Sequence, residues 1–159
     1  VCEDYDLWLR YFTQNQQMDK LPITLLYWRD HPNRTSRVDS RYSVENFLRA
    51  KVHYLTKTLL ANRDQVFVWG AGQMGKRISK HLLRNHVPLN CFFDINNKKI
   101  GTSLRNLPIH NAHDLPNMLQ KYTNPIVLVA VASNNARSLI RQQMNKWGFD
   151  ESTDYCCVA

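Results

Sequence analysis

The sequence predicts an α/β fold built on a small, mainly parallel sheet, and three observations carry that prediction. Short apolar runs of strand length recur after residue 64, at Val66 to Trp69, Leu89 to Asp94 and Ile126 to Ala132. Amphipathic helical stretches separate them, and parallel neighbours need crossovers of that kind. The first run ends in Gly70-Ala71-Gly72-Gln73-Met74-Gly75, a glycine pattern set between a strand and a helix.

Val1 to Asn15 reads as a helix, with Leu7, Tyr11 and Phe12 at helical spacing. Leu21 to Trp28 is rich in branched and aromatic residues and reads as a strand, confined by Pro22 to a strand start or a sheet edge. His31 to Ser36 is a polar loop. From about Ser40 to Asn62 runs a long amphipathic helix, with Val44, Phe47, Leu48, Val52, Leu55 and Leu59 on one face. After the glycine turn a helix turns Ile78, Leu82 and Leu83 inward, and the second strand ends at Asp94. A short extended piece near Pro108-Ile109 leads to a helix after Asp114. The last helix carries Leu139, Ile140, Met144 and Trp147 on one face and stops at Gly148, a suitable C-cap, before a closing strand at Tyr155 to Val158. The organisation predicted is a leading segment over 1–39, a connecting amphipathic helix over 40–63 and a Rossmann-like domain over 64–159.

Bulk properties narrow the partners. The net charge of +8 favours anionic ligands such as phosphates, nucleotide diphosphates or nucleic acid. No apolar run approaches the ~18 residues that span a bilayer, and no basic-then-apolar leader opens the chain, so a cytoplasmic setting is expected. Four cysteines (Cys2, Cys91, Cys156, Cys157) show no metal-type pairing and suit a reduced compartment as core thiols.

The glycine pattern has the spacing GxGxxG. Gly70 permits the tight turn, Gly72 lets the backbone approach a diphosphate, and Gly75 lets helix and strand pack closely. Asp94 ends the second strand about 20 residues further on, where an acid can bind a ribose hydroxyl. Gly70, Gly72, Gly75 and Asp94 are therefore the candidate cofactor-binding residues. A purely structural turn, a nucleotide or nucleotide sugar, and NAD all remain open. NAD stands lowest, because many such domains keep the turn for the fold alone; and with no obvious second domain to offer a hydride-acceptor site, a dehydrogenase is not expected.

The segment Cys91 to Gly101, followed by Leu107-Pro108-Ile109, resembles small Rossmann domains attached to sugar-modifying enzymes, some of which hold a nucleotide sugar. Glu3-Asp4-Tyr5-Asp6-Leu7-Trp8-Leu9-Arg10 has acids where they oppose the positive end of a helix dipole. It also resembles the acidic helix of family 2 glycosyltransferases, inverting enzymes of GT-A fold. That resemblance implies Asp4 as the general base on an acceptor hydroxyl, with Glu3 its neighbour. Tyr27-Trp28-Arg29-Asp30-His31-Pro32 is similar to a loop near the divalent metal and donor diphosphate in those enzymes, which implies His31 as a ligand to Mn or Mg.

The C-terminal stretch from Gly148 resembles the ending of chains that join such a transferase to a Rossmann domain. The tRNA-queuosine galactosyltransferase type, also described as N-acetylglucosaminyltransferase-like, is the nearest eukaryotic resemblance, and bacterial members with other acceptors fit nearly as well. Together these imply a nucleotide-sugar donor and an acceptor hydroxyl, with tRNA among the acceptors. No Asp-x-Asp motif occurs in strand context, so the expectation is a fragment that begins inside a catalytic domain, lacks its N-terminal half and is inactive alone. The alternative reading is a stand-alone nucleotide- or NAD-binding Rossmann module without catalytic activity.

Overall fold

A computed structural model describes residues 3–14 and 16–159; Val1, Cys2 and Asn15 of the sequence expectations lie outside the described residues. The chain divides into two compact units, Val1–Thr58 and Leu59–Ala159.

Among its described residues the first unit holds three α-helices: α1 (Glu3–Thr13), α2 (Thr35–Val38) and α3 (Val44–Lys57). Glu3, Asp4 and Asp6 occupy the first turn of α1, where carboxylates offset the positive dipole end. Helix α1 meets α3 through Tyr5, whose ring stands edge-on to Phe47 at 5.0 Å, and through the Tyr54 hydroxyl, which donates to Asp6 Oδ1 at 2.7 Å. The predicted helix over 40–62 is shorter in fact. Ser43 is extended (φ −66°, ψ 147°) and its Oγ accepts from the Asn46 N–H, so the helix starts at Val44 behind a single 3-10 turn, Ser40–Tyr42. Thr58, at φ −123° and ψ −97°, ends it.

The predicted strand over 21–28 does not form. Its residues have the side chains of a strand, yet they pair with no strand among the described residues, and Tyr27 is 89% exposed. Strands are stabilised by their cross-strand partners, so β-forming composition alone leaves an irregular segment.

The second unit is an α/β Rossmann-like fold. Its elements are β1 (Gln65–Trp69), α4 (Gln73–Arg84), β2 (Leu89–Asp94), β3 (Ser103–Leu104), β4 (Leu107–Asn111), α5 (Leu115–Leu119), β5 (Pro125–Val129), α6 (Asn134–Lys146) and β6 (Tyr155–Cys157). The sheet order is β3-β4-β2-β1-β5-β6. Every neighbour pair is parallel except β3 with β4, a hairpin turning through Arg105 and Asn106 at φ 55° and 63°. The sequence shows only the extended piece at Pro108-Ile109; β3 has two residues and no apolar run to announce it.

Strands β1 and β5 each lie between two neighbours and are buried on both faces, in keeping with their unbroken apolar runs. The connection through α4 runs toward one edge, whereas those through α5 and α6 run toward the other. Right-handed crossovers therefore set α4 on one face and α5 and α6 on the opposite face. Phe67, Trp69, Phe93, Leu115, Ile140 and Met144 form the core under α5 and α6. Gly148, at φ +81°, closes α6 where the sequence places its stop. At the far end of the sheet the Arg63 guanidinium donates to Asn124 Oδ1, the Pro125 carbonyl and the Thr153 carbonyl, fastening β5 to the turn before β6. Cys91, Cys156 and Cys157 form no disulfide, and burial pushes the Cys91 thiol up to about 12.

Helix α4 lies so close to β1 that a Cβ at Gly75 would stand 1.8 Å from the Gly70 carbonyl oxygen, whereas one at Gly72 would meet nothing within 4 Å. Gly75→Ala should therefore lower the unfolding free energy by about 3 kcal/mol, and Gly72→Ala should leave it near wild type. Urea denaturation of the two variants checks the contrast, and equal midpoints would refute it.

Candidate functional site

A cleft of about 560 Å³ opens at the carboxyl ends of β1, β2 and β5, where the sheet order reverses direction about β1. Open α/β sheets bind ligands at that place, since adjacent loops part there to opposite faces. Three groups of residues build the cleft.

The first is the glycine loop. Gly70 has φ +112°, and a side chain there would strike Val131 and the Ala130 carbonyl. Gly72 caps α4 without a side chain, so nothing covers the first-turn N–H groups of the helix, which lack intrahelical acceptors. Anions bind such helix starts because oriented N–H groups and the dipole act together. Arg77 lines the cleft one turn further on.

The second is Asp94. One carboxylate oxygen accepts from the Ala71 N–H and the Lys99 ammonium, each at 2.9 Å, and the other accepts from the Asn96 N–H at 2.9 Å. Burial raises the carboxyl pKa, but Lys99 and the two N–H groups outweigh it and hold Asp94 below the usual carboxylate range. Asp94 thus binds the glycine loop to the loop after β2. It retains about one of its four lone-pair sites for a ligand hydroxyl.

The third is the wall and floor. Ile95 and Leu139 flank the mouth and are 74% and 64% exposed despite their apolar side chains. Ala130, Ala132 and Ala136 leave room behind β5. The floor is the indole of Trp69 stacked on Trp147, with centroids 5.8 Å apart and planes 28° apart.

Of the candidate residues, Gly70, Gly72 and Asp94 line this cleft, and Gly75 sits beneath it against Gly70. Sequence reasoning missed Lys99, Ile95 and Gln143. For Lys99 the available signal was a cation five residues after the strand-ending acid. Leu139, placed by the sequence on one helix face with Ile140, Met144 and Trp147, faces the cleft. Asp4, Glu3 and His31 belong to the first unit. Asp4 and His31 line an open cavity there with Trp28 and Arg34, the Arg34 guanidinium lying 5.1 Å from the Trp28 ring centroid. Glu3, Asp4 and His31 are all exposed.

The family model for the CoA binding domain matches residues 62–147, more than half of the chain. The chain belongs to the CoA-binding domain family. Among solved structures, the repressor RSP in complex with β-NADH is similar at 18% identity over 69% of this chain and 62% of that one, with a TM-score of 0.50. Another RSP structure, described as a Rex-family repressor, gives 21% identity over 64% and 51% and a TM-score of 0.48. UDP-D-quinovosamine 4-dehydrogenase from Vibrio fischeri gives 22% identity over 55% and 75% and a TM-score of 0.45. Such identities speak to fold alone. The chain spans only about half to three fifths of the length of the two RSP chains. No curated protein matches.

These findings correct the expectations drawn from the glycosyltransferase resemblance. The matched region belongs to the CoA-binding domain family, so the assignment as a fragment of a sugar-transferring family 2 enzyme is overturned. With it fall the nucleotide-sugar donor, the tRNA acceptor and the tRNA-modification role. The physical reason lies in the acidic helix, whose carboxylates suit any helix start, and none of the α1 residues is fully buried. The divalent-metal expectation at His31 is corrected too: among the described residues no group of three or more His, Cys, Asp or Glu side chains could hold a metal ion. Among the described residues, no helix is long and apolar enough to cross a membrane.

Because the Asp94 pKa is depressed in the folded chain, its contribution to stability is present above the unfolded carboxyl pKa and is lost as pH falls through the lower folded value. The denaturation midpoint should decline as pH drops below about 4, and Asp94→Asn should flatten that decline. A pH series of urea titrations on both proteins tests this, and parallel curves would refute it.

Proposed function

We propose that the cleft binds a cofactor built on adenosine diphosphate, of the NAD(H) or CoA class, and that the second unit is a nucleotide-binding module. The observation that carries this reading is the pairing of an uncapped glycine-loop helix start with a strand-ending carboxylate at the switch point of the sheet. The diphosphate would lie on the α4 N–H groups with Gly70 and Gly72 giving it access, and Gly75 holding the helix close. Asp94 would accept a ribose hydroxyl with its remaining lone pair. Ile95 and Leu139, two exposed apolar side chains beside Asp94, would enclose the base and gain the burial they now lack.

The family is named for CoA, and the RSP structure of the same fold carries β-NADH. Both ligands contain adenosine diphosphate, so the site needs only that shared half. The low place given to NAD on sequence grounds is corrected accordingly, since a structure of the same fold carries β-NADH.

Titration calorimetry with ADP, NAD⁺, NADH and CoA tests the reading, together with thermal unfolding. At a ligand concentration of 100 times Kd the folded state should gain about 2.7 kcal/mol, seen as a raised Tm. Gly72→Ala, which leaves the fold intact, should weaken ADP at least tenfold by placing a methyl group where the diphosphate approaches. Absence of binding by all four ligands would end the proposal.

A further inference from the structure

Helix α6 turns Ala136, Leu139, Ile140, Gln143 and Trp147 toward the cleft. These positions lie at helical spacing on one stripe, and Gln143 is its one polar member. The Gln143 side chain is half-buried beside the Trp69–Trp147 floor, and its amide makes no hydrogen bond among the described residues. A primary amide offers two donors and an acceptor, and leaving them idle against an apolar wall costs stability unless water or a ligand engages them. A leucine would serve packing better at this position.

We infer that Gln143 reads the base of the bound nucleotide and selects adenine; this rests on the nucleotide-binding reading of the same cleft. Adenine presents a donor, the 6-amino group, next to a ring-nitrogen acceptor. One amide matches both at once: Oε1 accepts from the amino group while Nε2 donates to the ring nitrogen. Guanine would place its N1–H and 2-amino donors on the same edge, and these call for a carboxylate. The carboxylate in this cleft, Asp94, is already engaged by Ala71, Asn96 and Lys99. The apolar surroundings raise the worth of the amide pairing, since a base lacking a matching group strands a buried amide.

A two-by-two comparison isolates the contact. The full chain and its Gln143→Leu variant are titrated calorimetrically with ADP and with the 5′-diphosphate of purine riboside, which lacks only the 6-amino group. The wild type should bind ADP about tenfold more tightly, and in Gln143→Leu the ratio should collapse toward one. Gln143→Glu keeps the acceptor and should keep most of the preference, which separates base reading from a change in packing. Equal binding of the two diphosphates by the wild type, or an unchanged ratio in Gln143→Leu, overturns this inference alone. Failure of the wild type to bind ADP at all overturns it together with the nucleotide-binding reading.

Discussion

The approach of α4 to β1 is the constraint on which the rest of the second unit depends. With the space for a Cβ at Gly75 taken by the Gly70 carbonyl, helix and strand can close only when residue 75 is glycine. That closure forces the chain to turn within the three residues Gly70 to Gly72, and Gly70 takes φ +112° to do so. The turn in turn points the open end of the helix over the carboxyl edge of the sheet. Asp94 then ties the loop down from the next strand by accepting from the Ala71 N–H, and Lys99 keeps that carboxylate ionised. A packing requirement thus produces an anion-binding geometry, which explains why the turn by itself says little about which ligand occupies it.

Charge is distributed to suit an anion at that edge. From Gln65 to His113 the chain carries seven basic side chains (Lys76, Arg77, Lys80, Arg84, Lys98, Lys99 and Arg105) against a single acid, Asp94. Arg77 and Lys99 line the cleft itself, and Lys99 spends its charge on Asp94. Without Lys99, the carboxylate would stand unneutralised beside an arriving diphosphate. With it, the ribose acceptor and the phosphate cradle can lie close together at modest electrostatic cost. The remaining cleft surface is largely apolar, which suits a planar base and gives direction to the few polar groups it contains.

The sheet was legible in the sequence because its signals are local. Val66 to Trp69 and Ile126 to Ala132 are too short for helices and too apolar for loops, and the glycine spacing fixes what lies between strand and helix. Elements that depend on distant partners were not legible. Leu21 to Trp28 has the composition of a strand and no strand to pair with among the described residues. The β3–β4 hairpin has too few residues to show a pattern. At the site, Gly70, Gly72 and Asp94 could be placed by spacing, whereas Ile95, Leu139 and Gln143 could not. Helical periodicity places Leu139 on one face with Ile140, Met144 and Trp147, and it cannot tell a stripe facing the interior from one facing a cleft. The acidic start of α1 shows the opposite hazard, since a carboxylate-rich first turn serves helix stability in any protein and carries no chemistry by itself.

The two kinds of residue at the cleft mouth answer different questions about a ligand. Glycines and N–H groups respond to any diphosphate, and so give affinity without choice. On the proposed reading Ile95 and Leu139 would enclose any planar base, which would bury side chains that are now exposed. Only side chains that offer a fixed pattern of donor and acceptor can distinguish one nucleotide from another. Lys99 and Asp94 consume much of their capacity on each other and on the backbone, so selection has to come from elsewhere in the wall. On α6, a helix whose other cleft-facing side chains are apolar, the amide of Gln143 is such a group, and on the proposed reading the choice of ligand would turn on what its base presents there.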